Sequence, residues 1–412
     1  MYKRIFIIIA FLLTVTCSHA DNGSNSPYTR YGVGLLSDQS LGINRQMGGL
    51  GYGLRSHRFI NILNPASFAQ ADTLTMLFEA GFSLQNVNFK ENGKSVNARN
   101  ASFDYVAIQF RLCKNLGMSA GFLPYSSVGY SFSNVSNKGT NEESTDNYSG
   151  SGGIYQPYIG LGWQPFKWFS AGVMGSYIYG DITHEVGIDF LNSTDRTRSY
   201  NVSLKSYKVD FGLQFAAKMG KKHDLVIGAT YSLGHDLNAK TLITEVTTDS
   251  TTTEKTGSGF NLPHTYGAGF AYTFNDEWKI GADYTLQQWS SSSFFGIDKG
   301  IDRSKISAGV EYSPTALSNN IFKMMSYRAG FYYAQPYTEL NGKKGCEEYG
   351  VSAGISLPFL NNNNRTSHAT LHLSGQFIHM KPKSAGMIRE NYFRINLGIT
   401  FNESWFMIMQ VR

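Results

Sequence analysis

The sequence predicts an all-β fold, a transmembrane antiparallel β-barrel of about 14 strands. Three observations carry this. Long segments alternate strictly: Trp278, Ile280, Ala282, Tyr284 and Leu286 share one face, and Lys279, Gly281, Asp283, Thr285 and Gln287 the other. Charged residues make up only 16% of the chain, against the roughly 25% usual in soluble domains. Meanwhile 25 Tyr, 28 Phe and 43 Gly are spread along it. Finally, after the first twenty residues no run approaches the roughly 18 apolar residues that a membrane helix needs. Apolar surface placed on alternate positions is how a barrel presents a lipid face without a helical span.

Residues 1–20 read as an export signal. Lys3 and Arg4 form a basic start, residues 5–15 an apolar core broken only by Thr14, and Ser18-His19-Ala20 suits cleavage near Ala20. Cys17 offers a lipid-anchor alternative, but Thr14-Val15-Thr16 makes a poor acylation signal. Residues 21–70 carry Gly32, Gly34, Gly42, Gly48, Gly49, Gly51 and Gly53 and do not alternate. The run Gly49-Leu50-Gly51-Tyr52-Gly53 lacks the spacing and βαβ context of a phosphate loop. Such a segment ahead of a barrel is either a plug in the lumen or a periplasmic arm, and composition does not separate the two.

The barrel is expected over residues 71–402, with strand centres at Phe82, Ile108, Gly121, Ile159, Met174, Phe211, Ala229, Gly269, Ala282, Val310, Phe331, Gly354, Leu373 and Leu397. Short connections fall at 114–115, 165–167, 220–223, 275–277 and 361–364, and long polar loops at 134–148, 190–200 and 244–257. Short turns facing the periplasm and long loops facing outward are the outer-membrane rule, which puts both termini and a tail at 403–412 on the periplasmic side. A soluble β-sandwich also alternates, but its polar face is usually rich in Lys and Glu. Here that face is mostly Gly, Ser, Thr and Gln. Trp163, Trp168, Trp278, Trp289 and the tyrosines are expected in aromatic girdles at the two interfaces. Cys113 and Cys346 fall near opposite ends of the barrel, so no disulfide is expected. A net charge of +6 without a basic cluster gives nucleic-acid binding no support.

The glycine-rich segment, then Asn64-Pro65-Ala66, then a first strand from Leu74 resembles the FadL family of long-chain fatty acid and hydrocarbon channels. A second echo is Leu262-Pro263, the strand 266–274, the acidic turn Asn275-Asp276-Glu277-Trp278, and Tyr284 through Trp289-Ser290. The opening Ser26-Pro27-Tyr28-Thr29-Arg30-Tyr31-Gly32 resembles the start of FadL-like proteins in Bacteroidetes. The likeness spans the mature chain, with one departure: such barrels commonly end on an aromatic, as Phe401 would, whereas here a tail follows.

The resemblance implies a fourteen-stranded barrel in a bacterial outer membrane, with residues 21–70 as an N-terminal hatch inside the lumen. It further implies uptake of hydrophobic small molecules, such as long-chain fatty acids, through lumen pockets, with release sideways into the membrane at a kink in the third strand. The implied partners are the hydrophobic ligand, outer-membrane lipid and the barrel assembly machinery that inserts such proteins. In the third strand Pro124, flanked by Gly121 and Gly129, marks either that lateral opening or a strand end. As an opening it would meet the hatch corner Asn64, Pro65 and Ala66. Lys208, Lys279, Arg328 and Arg394 fall on the predicted lumen face as candidate partners for a ligand carboxylate, or as ion-paired lumen residues.

An enzyme is not expected: none of the nine histidines, His264, His372 and His379 included, sits in a recognisable motif with Ser or Asp. Nothing in the spacing suggests a metal or a cofactor. The alternative function is a FadL-like barrel acting as a protein-interaction component of type IX secretion or surface-protein export; a general porin stands third.

Overall fold

The computed structural model describes residues 24–404 apart from 74, 92, 258, 295–297, 315–320, 341–342, 361–367 and 384–386. The export signal with its cleavage position, the turn expected at 361–364 and the chain beyond Ser404 lie outside the described residues.

Fourteen antiparallel strands form one closed barrel. They are β1 (Thr75–Glu91), β2 (Lys94–Cys113), β3 (Leu116–Ser136), β4 (Ser144–Phe166), β5 (Phe169–Phe190), β6 (Arg196–Lys218), β7 (His223–Ser232, resumed at Ala239–Thr247), β8 (Thr251–Gly257, resumed at Thr265–Phe274), β9 (Trp278–Gln287), β10 (Arg303–Tyr312), β11 (Ser326–Ala334), β12 (Cys346–Leu360), β13 (His368–Pro382) and β14 (Arg389–Ser404). β14 closes the ring on β1, from Thr75 opposite Ser404 to Lys90 opposite Arg389. Closure satisfies the backbone hydrogen bonds that lipid cannot. Each expected strand centre falls inside a different strand. The last strand ends at Ser404, two residues beyond the boundary expected at 402.

A belt of exposed apolar side chains surrounds the wall, among them Ile159, Val173, Leu213, Ile227, Phe270, Ile280, Phe331 and Leu397. Trp163, Phe166, Trp168, Phe215, Phe274 and Trp278 border it at the short-turn end, and Tyr155, Tyr177, Tyr207 and Tyr266 border it on the far side, eight residues from Trp163, Phe215 and Phe274 in three of the strands. At ~3.3 Å per residue and ~40° of tilt, that separation spans about 20 Å between the backbone levels of the two girdles, somewhat less than the apolar band of about 25 Å usual in such barrels.

Trp289 does not belong to either girdle. It is 0% exposed, in a 3₁₀ turn beyond β9, and its ring packs on Tyr337 with centroids 4.9 Å apart. The chain has left the wall by then and folded back over the lumen mouth.

The long loops also differ from expectation. β3 and β4 stay paired up to Ser136 opposite Ser144, and Thr251 through Gly257 pair with Lys240 through Val246, so much of each expected loop is hairpin. Polar, β-branched side chains such as Thr251, Thr252 and Thr253 suit a strand whose faces are both solvated, and the ladder satisfies the backbone. The turn left between β3 and β4 covers only 137–143.

Residues 24–71 fill the ring. Met47, Leu50, Leu54, Ile60, Ala66 and Phe68 are buried there, although the segment has no strand longer than Leu35–Leu36. The first described residues lie in the outer half, and the N-terminus expected on the periplasmic side lies outside the described residues. Ser26 caps the 3₁₀ turn Pro27–Arg30 and donates to Glu390 at the outer end of β14 (2.6 Å). From there the chain descends through the short helix α1 (Gly42–Gln46) to the 3₁₀ turn Pro65–Gln70, close to the short-turn end of the wall. Ser404 lies beside Thr75 at that same end.

Candidate functional site: the lumen cavity and the β2–β3 seam

β2 has 20 residues and β3 has 21, yet they pair only between Val106 opposite Phe122 and Cys113 opposite Leu116. Beyond Phe122 the strands separate. β3 follows β4 instead, through a register shift between Pro124 and Ser126, where proline has no N–H to give the ladder. The edge of β3 that β2 leaves free is stitched by the N-terminal segment. Leu35 and Leu36 pair with Ser127 and Ser126, Ser37 N donates to Tyr125 O (3.0 Å), and Gln39 Nε2 donates to Pro124 O (2.9 Å). Gly129 is gripped by Thr29, whose hydroxyl accepts from its N–H at 3.2 Å.

Behind this seam lies a cavity of about 950 Å³. Its lining joins lumen-facing groups with residues on the lipid side of the wall at the seam: Leu84, Phe122 and Tyr155. The rings of Phe122 and Tyr155 stack at 5.7 Å. Above the cavity the lumen is closed by an apolar cluster that includes Val33, Tyr125, Val128, Ile182, Phe260 and Trp289. Where β7 and β8 are interrupted, a two-stranded ribbon, His235–Leu237 with Phe260–Leu262, packs Leu237 and Phe260 into that cluster.

The cavity wall is rich in charge. Arg45 of α1 bonds Asp104 of β2 at 2.5 Å and faces Asp38 at 3.6 Å. Burial alone would raise the Asp38 carboxyl, but Arg45, Lys305 and hydrogen bonds from Ser40 outweigh it and pull it down to about 2. Burial likewise works against the Arg45 cation, yet Asp104 and Asp38 hold it firmly protonated.

The four expected cations divide. Lys208 is paired with Asp210 and lines the cavity. Arg394 lines it as well and donates to Gln85 Oε1 at 2.7 and 3.2 Å. Lys279 and Arg328 are instead locked on Glu311, at 3.4 and 2.5 Å, outside the cavity. Arg303 and Lys305, which also line it, were not singled out from the sequence. They sit on the lumen face of β10, and alternation alone could have placed them there.

The expected meeting of Asn64-Pro65-Ala66 with Pro124 is not found. Asn64 Nδ2 donates to Leu213 O of β6 (3.1 Å), and Pro65 presses on Gly172 of β5. The corner goes there because the wall at Gly172 lacks a Cβ, which leaves room for backbone to touch backbone. Gly121 lies in the last paired stretch, where a Cβ would crowd Val106 O and the Tyr158 ring, so it closes the seam from below.

A Ser–His contact does form at depth. Ser356 Oγ and His372 Nδ1 are 2.7 Å apart, and His372 Nε2 meets Thr400 Oγ1 at 2.8 Å. Among the described residues the imidazole is held by two hydroxyls and no acid, and the group lies buried under Gln46.

The fold is that of the FadL-type barrels. A FadL homologue of Pseudomonas aeruginosa matches at 12% identity with TM-score 0.60, covering 91% of this chain and 100% of that one. The CymD monoaromatic hydrocarbon channel matches at 14% and 0.58, covering 89% and 97%. The P. putida toluene transporter TodX matches at 16% and 0.57, covering 93% and 99%. At such identities the likeness is one of fold. No curated protein sequence matches the chain. The BamG family model matches residues 1–411.

Proposed function

The chain belongs to the BamG family, and from the barrel it builds we propose that it takes up hydrophobic small molecules across the bacterial outer membrane. In this reading the ligand occupies the lumen cavity and leaves sideways through the β2–β3 seam into the bilayer. The observation that carries it is the cavity lining, which runs from lumen groups to Leu84, Phe122 and Tyr155 on the lipid side where β2 and β3 part. An apolar tail gains about 25 cal/mol per Å² removed from water, and a sideways exit keeps it out of water. The names of CymD and TodX as hydrocarbon and toluene carriers are consistent with such a cargo. On this view residues 21–70 act as the hatch, the signal is cleaved near Ala20, and the barrel assembly machinery inserts the protein.

The test is native mass spectrometry of the purified mature barrel, paired with uptake of a labelled long-chain fatty acid and of toluene in proteoliposomes. Co-purifying lipid or hydrocarbon together with protein-dependent uptake is expected. An empty barrel that moves neither probe would sink the reading.

One observation favours a second reading, a protein-interaction role in type IX secretion or surface-protein export. β3 to β6 run 21 to 23 residues, while spanning takes about 9–11, so one side of the wall stands well above the bilayer. Shortening those hairpins should spare small-molecule uptake under the first reading and abolish export under the second.

A further inference from the structure

On the outside of the wall, the outer ends of β13, β14, β1 and β2 carry a set of exposed cations. Lys90 of β1 stands directly opposite Arg389 of β14. Lys381 of β13 lies one position beyond the pair of Met380 with Glu390 and so flanks Arg389 on its other side. Arg99 of β2 stands opposite Asn86, four residues down β1 from Lys90. All four are exposed, and none has an ion-pair partner among the described residues. The acids beside them are on the other strand face or engaged. Glu91 and Glu390 hold alternate positions, and Glu390 is buried and bonded to Ser26 and Tyr392 (2.6 Å each). Glu347, opposite Lys381, is taken by Lys383 (2.7 Å), Tyr333 (3.0 Å) and Tyr349 (3.1 Å). Like charges directly across an antiparallel pair repel, so Lys90 beside Arg389 favours an anion that arrives from elsewhere.

The side chains beneath the cations set the kind of anion. The next outward rung across the same four strands is His379, Asn391, Asn88 and Asn97. His379 Nδ1 meets Asn391 Oδ1 at 2.7 Å, and Asn88 Nδ2 donates to Asn97 Oδ1 at 2.8 Å. Below that rung come Phe377 and Phe393, 50% and 52% exposed, and then Ile395 and Leu84, where the apolar belt begins. Along β14 alone the outward face reads Arg389, Asn391, Phe393, Ile395. Cation, amide and hydrocarbon thus follow one another within seven residues, which is the order of phosphate, polar linkage and acyl chain in a phosphorylated lipid. The sector around β5 differs: its outward residues beyond Tyr177 and Tyr179 include Asp181 and Glu185.

We propose that Lys90, Arg99, Lys381 and Arg389 bind the phosphates of a phosphorylated lipid of the outer leaflet, whose acyl chains lie down the wall over Phe377, Phe393 and Leu84. A lipid fits better than a free phosphate because the cations stand above the lipid-facing belt on the same strand faces. The site is outside the barrel and takes no part in the lumen cavity, so it stands or falls separately from uptake.

The experiment measures binding of diphosphorylated lipid A, of its dephosphorylated form and of inorganic phosphate to the mature barrel in detergent, by native mass spectrometry. The proteins are wild type, Lys90→Gln with Arg389→Gln, and Lys205→Gln with Lys240→Gln, the last an equal loss of exposed charge on β6 and β7. Wild type should bind the diphosphorylated lipid roughly tenfold or more tighter than the dephosphorylated one. Lys90→Gln with Arg389→Gln should lose that preference, and the β6–β7 pair should keep it. Equal affinity for the two lipids in wild type would overturn the site. Inorganic phosphate displacing the lipid at equal concentration would overturn it in favour of a plain anion site. An equal loss in the β6–β7 pair would reduce it to general surface charge. The exchange Lys90→Arg with Arg389→Lys keeps the charge and should keep the preference, and its loss there would overturn the role assigned to charge. The wild-type comparison and this exchange decide the matter even if the glutamine pair fails to assemble, which the heat-dependent gel shift of a folded barrel reports.

Discussion

Replacing Gly228 with leucine should unseat the N-terminal segment from the barrel while leaving the barrel itself closed. A Cβ at Gly228 would overlap the Tyr52 carbonyl, a backbone atom that cannot swing aside. That stretch is pinned from several directions. Asp283 accepts from Gly51 N (2.6 Å) and Tyr52 N (2.9 Å), and Tyr52 O accepts from Asn64 Nδ2 and Gln214 Nε2 (2.9 Å each). Displacing it forfeits bonds worth on the order of 5 kcal/mol together and strands a buried carboxylate. The β7 ladder to Gly269 and Gln214 uses Gly228's backbone, which the new side chain does not block.

The measurement is limited proteolysis of residues 24–71 in proteoliposomes, alongside flux of a water-soluble dye and the heat-dependent gel shift of a folded barrel. Cleavage and flux should rise sharply, by a hundredfold or more given that energy, with the gel shift unchanged. A segment as protected as in wild type would mean that the wall gives way at Gly228 and the seating is softer than the contacts indicate. Gly172→Leu, where the Cβ would meet the Pro65 backbone, should give a similar though smaller effect.

Strand number and position were legible because alternation over ten residues has one solution in lipid: outward residues must be apolar and inward ones need not be. The wall face of Trp278 or Phe211 follows from that rule without knowing any neighbour. The interior does not follow from it. Asn64 meets β6 and Pro65 meets β5 because glycine backs the wall at Gly172, and nothing local to Asn64-Pro65-Ala66 says which glycine will be opposite.

The same limit applies to the amides beside the seam. Gln85 and Asn100 read as ordinary lumen positions, and only the register sets Gln85 between Asn100 and Arg394; that register includes a shift between Gly81 and Phe82 that moves every later pair along β1 by one residue. Arg328 shows the converse. Alternation puts it on the inward face, but only its 2.5 Å distance to Glu311 reveals the ion pair. Pro124 was legible as a break because proline lacks a donor, whereas the separation of β2 from β3 beside it is a pairing fact that no single strand records.

Pinning the N-terminal segment to β3 should stop uptake reversibly. Leu36 stands opposite Ser126 in antiparallel register, at a Cα separation of about 4.5–5.5 Å for such a pair, which a disulfide spans. The variant is Leu36→Cys with Ser126→Cys in a background where Cys113 and Cys346 are serine. The locked contact fixes the N-terminal segment on a stretch of β3 edge that β2 leaves unpaired. If cargo leaves between β2 and β3, Leu36 and Ser37 must release Ser126 and Tyr125 for the tail to pass Phe122 and Tyr155. Oxidised protein should therefore retain ligand binding in the cavity but lose transfer to the bilayer almost completely, and a reductant should restore it. Binding without transfer is the signature that separates a blocked exit from a damaged site. Transfer at the wild-type rate with the disulfide formed would place the exit elsewhere. The interruption of β7 and β8 at residues 233–238 and 259–264 would then be the next part of the wall to lock.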